Sequence, residues 1–270
     1  MILYNLNIIH LHHYLEELCF TLMVINIYKK KRLPTMIINK IIAVEGLDKT
    51  GKSTFCDAFE MVYSQLKGVN SQELKRFSFP NATTPIGKMI RDELESSSPN
   101  PDIVSTPNFL SEMSHYWMQE LYSNTVKIKE NTPNTNNLIE NTNIENNVNY
   151  LFDRYFISTL AYQAFYNNSK LDLEFIKTSL LNNSFIKMPT DIIFLDLPNE
   201  IILERTLTDQ ENGQLDANDT LDIDVIKKRR KAYFQALQFL KGNGIAIHWF
   251  EDASLYTPED LSKILIGKIF

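Results

Sequence analysis

The sequence is poor in cysteine. Only Cys19 and Cys56 occur in 270 residues, far apart and with no His or Cys beside them at metal-ligand spacing. That pattern excludes a disulfide-stapled scaffold and a structural zinc site, and it favours a reducing compartment. The chain also lacks an excess of positive charge: 27 Lys and Arg stand against 33 Asp and Glu, for a formal net charge of -6. Bulk binding to duplex nucleic acid or to an anionic membrane draws its affinity from a basic surface, so neither is expected. A local basic pocket for a phosphorylated small molecule is still allowed. The apolar run Leu18 to Ile27 is about half the length needed to cross a bilayer, and no internal repeat is visible. What is present is a hydrophobic content of 44% with 11% aromatic residues, enough for one large core or two small ones.

Two stretches differ from the rest. Residues 1–35 end in the basic cluster Lys29-Lys30-Lys31-Arg32, followed by Pro34 and a second candidate start, Met36. The basic residues follow the apolar run instead of preceding it, which is the wrong order for a secretory signal. With two acids and little Arg or Ser, the stretch also makes a poor mitochondrial presequence. It is read as an extension outside the fold, and the expected location is cytoplasmic, with nucleus and mitochondrion left open. In residues 131–149, 9 of 19 positions are Asn. Such sequence buries too little apolar surface to offset its ordering entropy, so it is expected to be a disordered insertion. One domain over 36–270, interrupted there, is the expected organisation.

Between these stretches strands and helices alternate. Ile41 to Val44 is a short, continuous apolar run, as in a strand buried on both faces. A helix is expected over Ser53 to Leu66, a strand over Leu74 to Phe79 and a helix over Ile86 to Leu94. A long helix follows over Phe109 to Lys129, then a short strand, Tyr150 to Phe152, ending at Asp153. A helix runs on from Ser158, and Asp191 to Asp196 is the clearest strand. Residues 222–241 read as helix, Ile245 to Phe250 as the last strand, and a final helix starts near Pro258. Such alternation predicts an α/β, three-layer fold with a parallel sheet of about five strands, helices on both faces and a small lid. Ligands in such folds sit at the carboxyl ends of the strands.

The strongest motif stands there: Gly46-Leu47-Asp48-Lys49-Thr50-Gly51-Lys52-Ser53, with Thr54 next. It satisfies G-x-x-x-x-G-K-[ST] between a strand and a helix, which is the P-loop of nucleoside triphosphate-binding proteins. Its glycines let backbone N–H groups turn toward phosphates at a helix N-terminus. Lys52 would neutralise the β and γ oxygens, and Ser53 would offer its hydroxyl to Mg²⁺. Asp153-Arg154-Tyr155 follows a second strand, so Asp153 is placed to serve the same Mg²⁺ and Arg154 to grip another phosphate bidentately. A P-loop alone does not separate a hydrolase from a kinase. The absence of a guanine-reading Asn-Lys-x-Asp sequence points away from a GTPase.

Together these residues resemble the thymidylate kinase family of P-loop nucleoside monophosphate kinases. The resemblance rests on Val44 to Ser53, on Phe79-Pro80-Asn81-Ala82-Thr83-Thr84-Pro85-Ile86-Gly87-Lys88, on Asp153 to Gln163, and on Phe194 to Pro198 with Arg205. It implies phosphorylation of dTMP to dTDP by MgATP, in a homodimer. It further implies that Asp48 contacts the acceptor 3′-hydroxyl, that Arg154 holds the acceptor phosphate, and that Phe79 and Pro80 flank the acceptor. Tyr162 would crowd the sugar 2′ position, Gln163 would face the base, and Arg205 would lie near the ATP adenine. The expected lid, Thr206 to Asp219, carries acids but no Lys or Arg. Lys49 and Lys52 are therefore expected to offset charge on the transferred phosphoryl group.

Three departures bear on the acceptor. Ala82 and Tyr116 stand where the family has Arg, and Glu112 stands where an aromatic would stack on thymine, with Phe109 the nearest substitute. Lys88, Arg91 and Arg76 are the candidates to compensate. Another monophosphate kinase, acting on dUMP, CMP or UMP, and a catalytically decayed nucleotide-binding protein are the alternatives that these departures leave open.

Overall fold

The computed structural model describes residues 38–66, 72–96, 98–131, 148–182, 186–213 and 219–270. The extension over 1–35 and nearly all of the Asn-rich stretch lie outside the described residues. Five strands form one parallel sheet: β1 (Ile38–Glu45), β2 (Glu73–Ser78), β3 (Val148–Asp153), β4 (Asp191–Leu195) and β5 (Ala246–Phe250), in the order β2-β3-β1-β4-β5. The register sets Val44 beside Asp153 on one side and Ile193 on the other. Because side chains alternate along a strand, the apolar run of β1 feeds two cores. Ile41 and Ala43 join Phe152, Ile192 and Phe194 on one face. Ile42 and Val44 join Leu151, Ile193 and Leu195 on the other.

The second face is covered by α1 (Lys52–Leu66) and the last helix, α8 (Pro258–Ile269), through Phe55, Phe59, Leu261 and Leu265. Over the first face lie α3 (Thr106–Asn131) and α7 (Ile223–Leu240), with α2 (Pro85–Leu94) packed against α3. An aromatic cluster anchors α3. Trp117, fully buried, donates its indole N–H to the Tyr155 hydroxyl at 2.6 Å, and Phe152 stacks on Tyr155 with centroids 4.7 Å apart.

The expected parallel five-stranded architecture is what the structure shows, with three differences in the helices. The helix expected from Ser158 begins earlier: a short α4 (Phe156–Thr159) runs into a π-helical stretch, Leu160–Tyr166, and α5 (Lys170–Asn182) follows as a separate helix. A further helix, α6 (Asn199–Glu211), continues from β4, so Thr206 to Glu211 of the expected lid are helical. Residues 214–218 of that lid lie outside the described residues. Among the described residues no helix is long and apolar enough to cross a membrane.

At the amino ends of the strands, opposite the P-loop, the buried carboxylate of Asp191 accepts from Lys40 Nζ at 3.1 Å and Thr190 Oγ1 at 2.8 Å, and His248 Nε2 lies 2.9 Å away. Burial alone would raise Asp191. The bonds from His248, Thr190 and Lys40 hold its carboxyl below the usual range instead.

Candidate active site

The carboxyl ends of β1, β3 and β4 converge on the P-loop. After Glu45 the chain turns sharply. Gly46 has φ 152°, and a Cβ there would stand 2.3 Å from the Leu195 carbonyl oxygen, so only glycine fits. Lys49 follows at φ 65°, a left-handed conformation that a lysine adopts at some strain. The loop is tied to itself: Thr50 Oγ1 donates to the Leu47 carbonyl at 2.9 Å, and Lys52 Nζ donates to the same oxygen at 2.5 Å. Burial first, and then the charge of Arg154, push the Lys52 ammonium down to about 8. Gly51 and the exposed Thr54 complete the turn into α1.

Ser53 and Asp153, expected to share a metal ion, are in contact. Ser53 Oγ donates to Asp153 Oδ2 at 2.6 Å across the P-loop–β3 junction. A hydroxyl and a carboxylate are hard oxygen donors of the kind that suit Mg²⁺.

Arg154 begins the turn after β3 at φ 68°, its N–H bonded to the Val44 carbonyl at 3.0 Å. This backbone sends its guanidinium back over the P-loop, where it pairs with Asp48 Oδ1 and donates to the Tyr233 hydroxyl at 3.0 Å. Tyr162 Oη reaches Asp48 Oδ2 at 3.5 Å. Asp48, Arg154 and Tyr162 are thus brought to one place. Burial opposes the ionised form of Asp48, but Arg154 foremost, with Lys52, Arg229 and Lys49, holds its carboxyl below the usual range. Arg205 Nη1 donates to the Lys49 carbonyl at 2.7 Å, which lays this exposed side chain against the P-loop backbone. Gln163 points elsewhere, its Oε1 3.5 Å from Asn167 Nδ2.

Lys49 sits in an unexpected setting. Its Nζ is 2.6 Å from Asp209 Oδ2 and 2.8 Å from Asp219 Oδ2, so two lid carboxylates hold this P-loop lysine. Burial works against its charge, yet the two carboxylates raise it to about 12. The charge of Lys49 is therefore already neutralised by these two carboxylates.

The loop after β2, expected to flank the acceptor, is also defined. Phe79 lies 4% exposed in the aromatic cluster, with a cis peptide to Pro80, and the Pro80 carbonyl accepts from Arg91 Nη2 at 3.0 Å. Glu112 is buried behind this loop: its Oε1 accepts the Asn81 N–H at 2.6 Å, and its Oε2 has no hydrogen-bond partner among the described residues. At the position where an aromatic was expected to stack on a base, the chain has a carboxyl that tethers the loop to α3. Burial pushes Glu112 up to about 7. Gly87 permits the tether, because a Cβ there would lie 2.2 Å from both Glu112 Oε1 and the Asn81 carbonyl. Of the expected compensating cations only Arg91 touches the loop. Lys88 pairs with Asp92 on the surface of α2, and Arg76 pairs with Asp57 of α1.

Sequence reasoning missed four residues here. Glu45, fully buried at the end of β1, accepts the Tyr155 N–H at 2.8 Å and the Ser158 hydroxyl at 2.6 Å. It thereby staples the P-loop base to the turn that carries Arg154. Burial pushes its carboxyl up to about 7, against the Ser158 and Tyr155 bonds and the charge of Arg154. Tyr233 completes that network from α7, 2.9 Å from Ser158 Oγ. Arg229, on the same helix, is 3.9 Å from Asp48 Oδ2. Arg230 clamps the β4–α6 connection through Asp196 at 2.9 Å and the Leu197 carbonyl at 2.6 Å. Only Glu45 had a local signal, standing directly before the P-loop glycine. The other three come from a helix whose sequence shows only amphipathic spacing.

Comparison with known proteins identifies the family. The sequence profile of the thymidylate kinase family matches residues 44–249, about three-quarters of the chain. The thymidylate kinase of Buchnera aphidicola (subspecies Baizongia pistaciae) is 25% identical over 183 residues, covering 68% of this chain and 76% of that protein. Among solved structures, a thymidylate kinase from Candida albicans superposes with a TM-score of 0.58 at 21% identity, covering 86% of this chain and 91% of that one; this likeness bears on the fold.

Proposed function

The chain belongs to the thymidylate kinase family, phosphotransferases that use ATP to phosphorylate dTMP, and on that premise we propose how its own residues carry the transfer. The observation that supports the reading best is the pairing of Arg154 with Asp48 over the P-loop. It sets an acceptor-side guanidinium against the donor-side loop, in one cleft. Backbone N–H groups of Gly46 to Ser53 and the N-terminus of α1 receive the donor phosphates. Lys52 exchanges the Leu47 carbonyl for phosphate oxygens, and its ammonium rises from about 8 as anions arrive. Arg205 lies along the loop on the outer side, near the donor nucleotide.

On the acceptor side Asp48 and Tyr162 face the sugar, Arg154 the phosphate, and Phe79 and Pro80 the flank of the base. An acceptor monophosphate is already largely ionised near neutral pH, so no strong general base is needed. Rate comes from alignment of the two phosphates and from cations that match charge as it develops. Lys49 contributes once the phosphoryl group competes it away from Asp209 and Asp219. Ser53 and Asp153 fit a Mg²⁺ ion by donor chemistry and contact. Such an ion, when bound with ATP, supplies charge neutralisation on the phosphate oxygens. A homodimer and a cytoplasmic location belong to this proposal, on the family resemblance and the low cysteine content.

The test is a coupled ADP-release assay across dTMP, dUMP, CMP and UMP, with the full chain and with a form starting at Met36. Turnover with dTMP, abolished by Lys52→Met, is expected. Turnover only with the other acceptors, or full activity in Lys52→Met, would refute the reading.

A further inference from the structure

The acceptor loop of this chain is short of guanidinium groups, with Ala82 in the loop and Tyr116 on α3. The structure brings one in from another direction. Arg229 of α7 places Nη1 3.9 Å from Asp48 Oδ2, while Arg154 takes the other oxygen of the same carboxylate. The Arg229 side chain is mostly buried, at 17% exposure, and its guanidinium lies over the rings of Tyr162 and Tyr166, 5.9 and 6.0 Å from their centroids. Lys228 caps the outer side of Tyr166 at 4.5 Å. These aromatic faces hold the Arg229 fork in place by cation–π attraction. Asp48, Lys49, Asp219 and Arg229 line one shared cavity beside the P-loop.

Two guanidinium groups drawn to the two oxygens of one carboxylate repel each other unless an anion lies between them. In this cleft Asp48 is that anion. A phosphate has more oxygens and more charge than a carboxylate, and two planar forks can grip it bidentately from two sides. We propose that Arg229 and Arg154 form a phosphate clamp in which Asp48 is the resident counter-ion, and that Arg229 supplies the guanidinium that the acceptor loop lacks. When the acceptor phosphate enters, it takes the guanidinium groups, and Asp48 is released toward the acceptor sugar. Arg229 is therefore a phosphate-binding residue on a helix that sequence motifs do not mark.

This inference rests on the acceptor reading above, and the experiment separates the two. Equilibrium binding of dTMP and of thymidine, which has the same base and sugar without phosphate, is measured by calorimetry on the wild-type full chain, on Arg229→Gln and on Arg229→Lys. Loss of one charged, forked contact weakens binding by about 10- to 100-fold. That loss is expected for dTMP in Arg229→Gln, with thymidine affinity within about twofold of wild type. Arg229→Lys keeps the charge and the stem packing on the tyrosines but not the fork, so a smaller dTMP loss is expected, again without change for thymidine. Equal losses for both ligands in either variant, or no loss for dTMP, would overturn the clamp. If the wild-type chain binds neither ligand, the acceptor assignment fails instead. The clamp is then read from inorganic phosphate, whose binding should weaken in Arg229→Gln and whose persistence there would overturn it.

Discussion

Glu45→Gln isolates the staple beneath the P-loop. In the folded protein burial pushes the Glu45 carboxyl from 4.5 up to about 7. The sign follows from linkage. The folded state holds its proton more tightly than the unfolded chain, so stability from this group is full below pH 4.5, falls as pH rises, and is lost above pH 7. A rise of about 2.5 units, from 4.5 to 7, at about 1.4 kcal/mol per unit, amounts to about 3 kcal/mol. Glutamine cannot ionise. Its Oε1 still accepts the Tyr155 N–H, and its amide can donate to Ser158 Oγ. The stability difference between Glu45→Gln and wild type should thus move in favour of the variant by about 2.5 kcal/mol between pH 5 and pH 8, since a small part of the change is already complete at pH 5. At about 2 °C per kcal/mol for a chain of this size, the Tm difference moves by about 5 °C. Glu112 titrates in the same range but is common to both proteins and cancels. Thermal melts of the pair at pH 5, 6, 7 and 8 make the measurement. Melting curves that stay parallel across that range would show that Glu45 is ionised throughout, and would refute the burial argument.

Other outcomes follow from the same site. With the Lys52 ammonium pushed down to about 8, ATP binding at pH 8.5 should take up a fraction of a proton, and the KM for ATP should rise as pH passes 8. Calorimetry in two buffers of different ionisation enthalpy reads this directly, and identical heats would contradict it. Gly87→Ala puts a Cβ 2.2 Å from the Asn81 carbonyl and from Glu112 Oε1, so stability should drop by about 1–3 kcal/mol and the KM for dTMP should rise. A wild-type melting curve would show that the loop gives way freely. Asp209→Asn removes one of the two carboxylates on Lys49 while leaving Asp219; stability should change by less than about 1 kcal/mol, since the pair is partly exposed. The KM for ATP should fall as the lysine is freed, and an unchanged or higher KM would mean that the lid acids do not compete with nucleotide.

The parts of the site carried by contiguous sequence were legible beforehand. Gly46 to Ser53 announces a strand, a tight turn and a helix by its own residue types, and Asp153-Arg154 follows an apolar run whose pairing with β1 is dictated by burial on both faces. What could not be read comes from distant elements or from ambiguous local patterns. Arg229 and Tyr233 reach the P-loop only because α7 crosses the sheet face at that point. The segment Thr206 to Glu211 is polar and looks like loop, yet it extends the helix begun at Asn199, with Thr206 buried and its hydroxyl on the Ile202 carbonyl at 2.8 Å. The π-helical Leu160–Tyr166 has no composition that separates it from an ordinary helix, although its geometry turns Tyr162 toward Asp48. Lys49 stands within the P-loop motif, but its two carboxylate partners lie 160 and 170 residues further on, beyond any local pattern.

The Asp191 cluster at the amino ends of the strands lies at the opposite end of the sheet from the P-loop. Its carboxylate joins β1, β4 and β5 through Lys40, Thr190 and His248, so it governs how firmly the sheet is sewn together without touching the machinery above. Substitutions in this cluster should therefore alter folding stability while leaving the P-loop contacts in place.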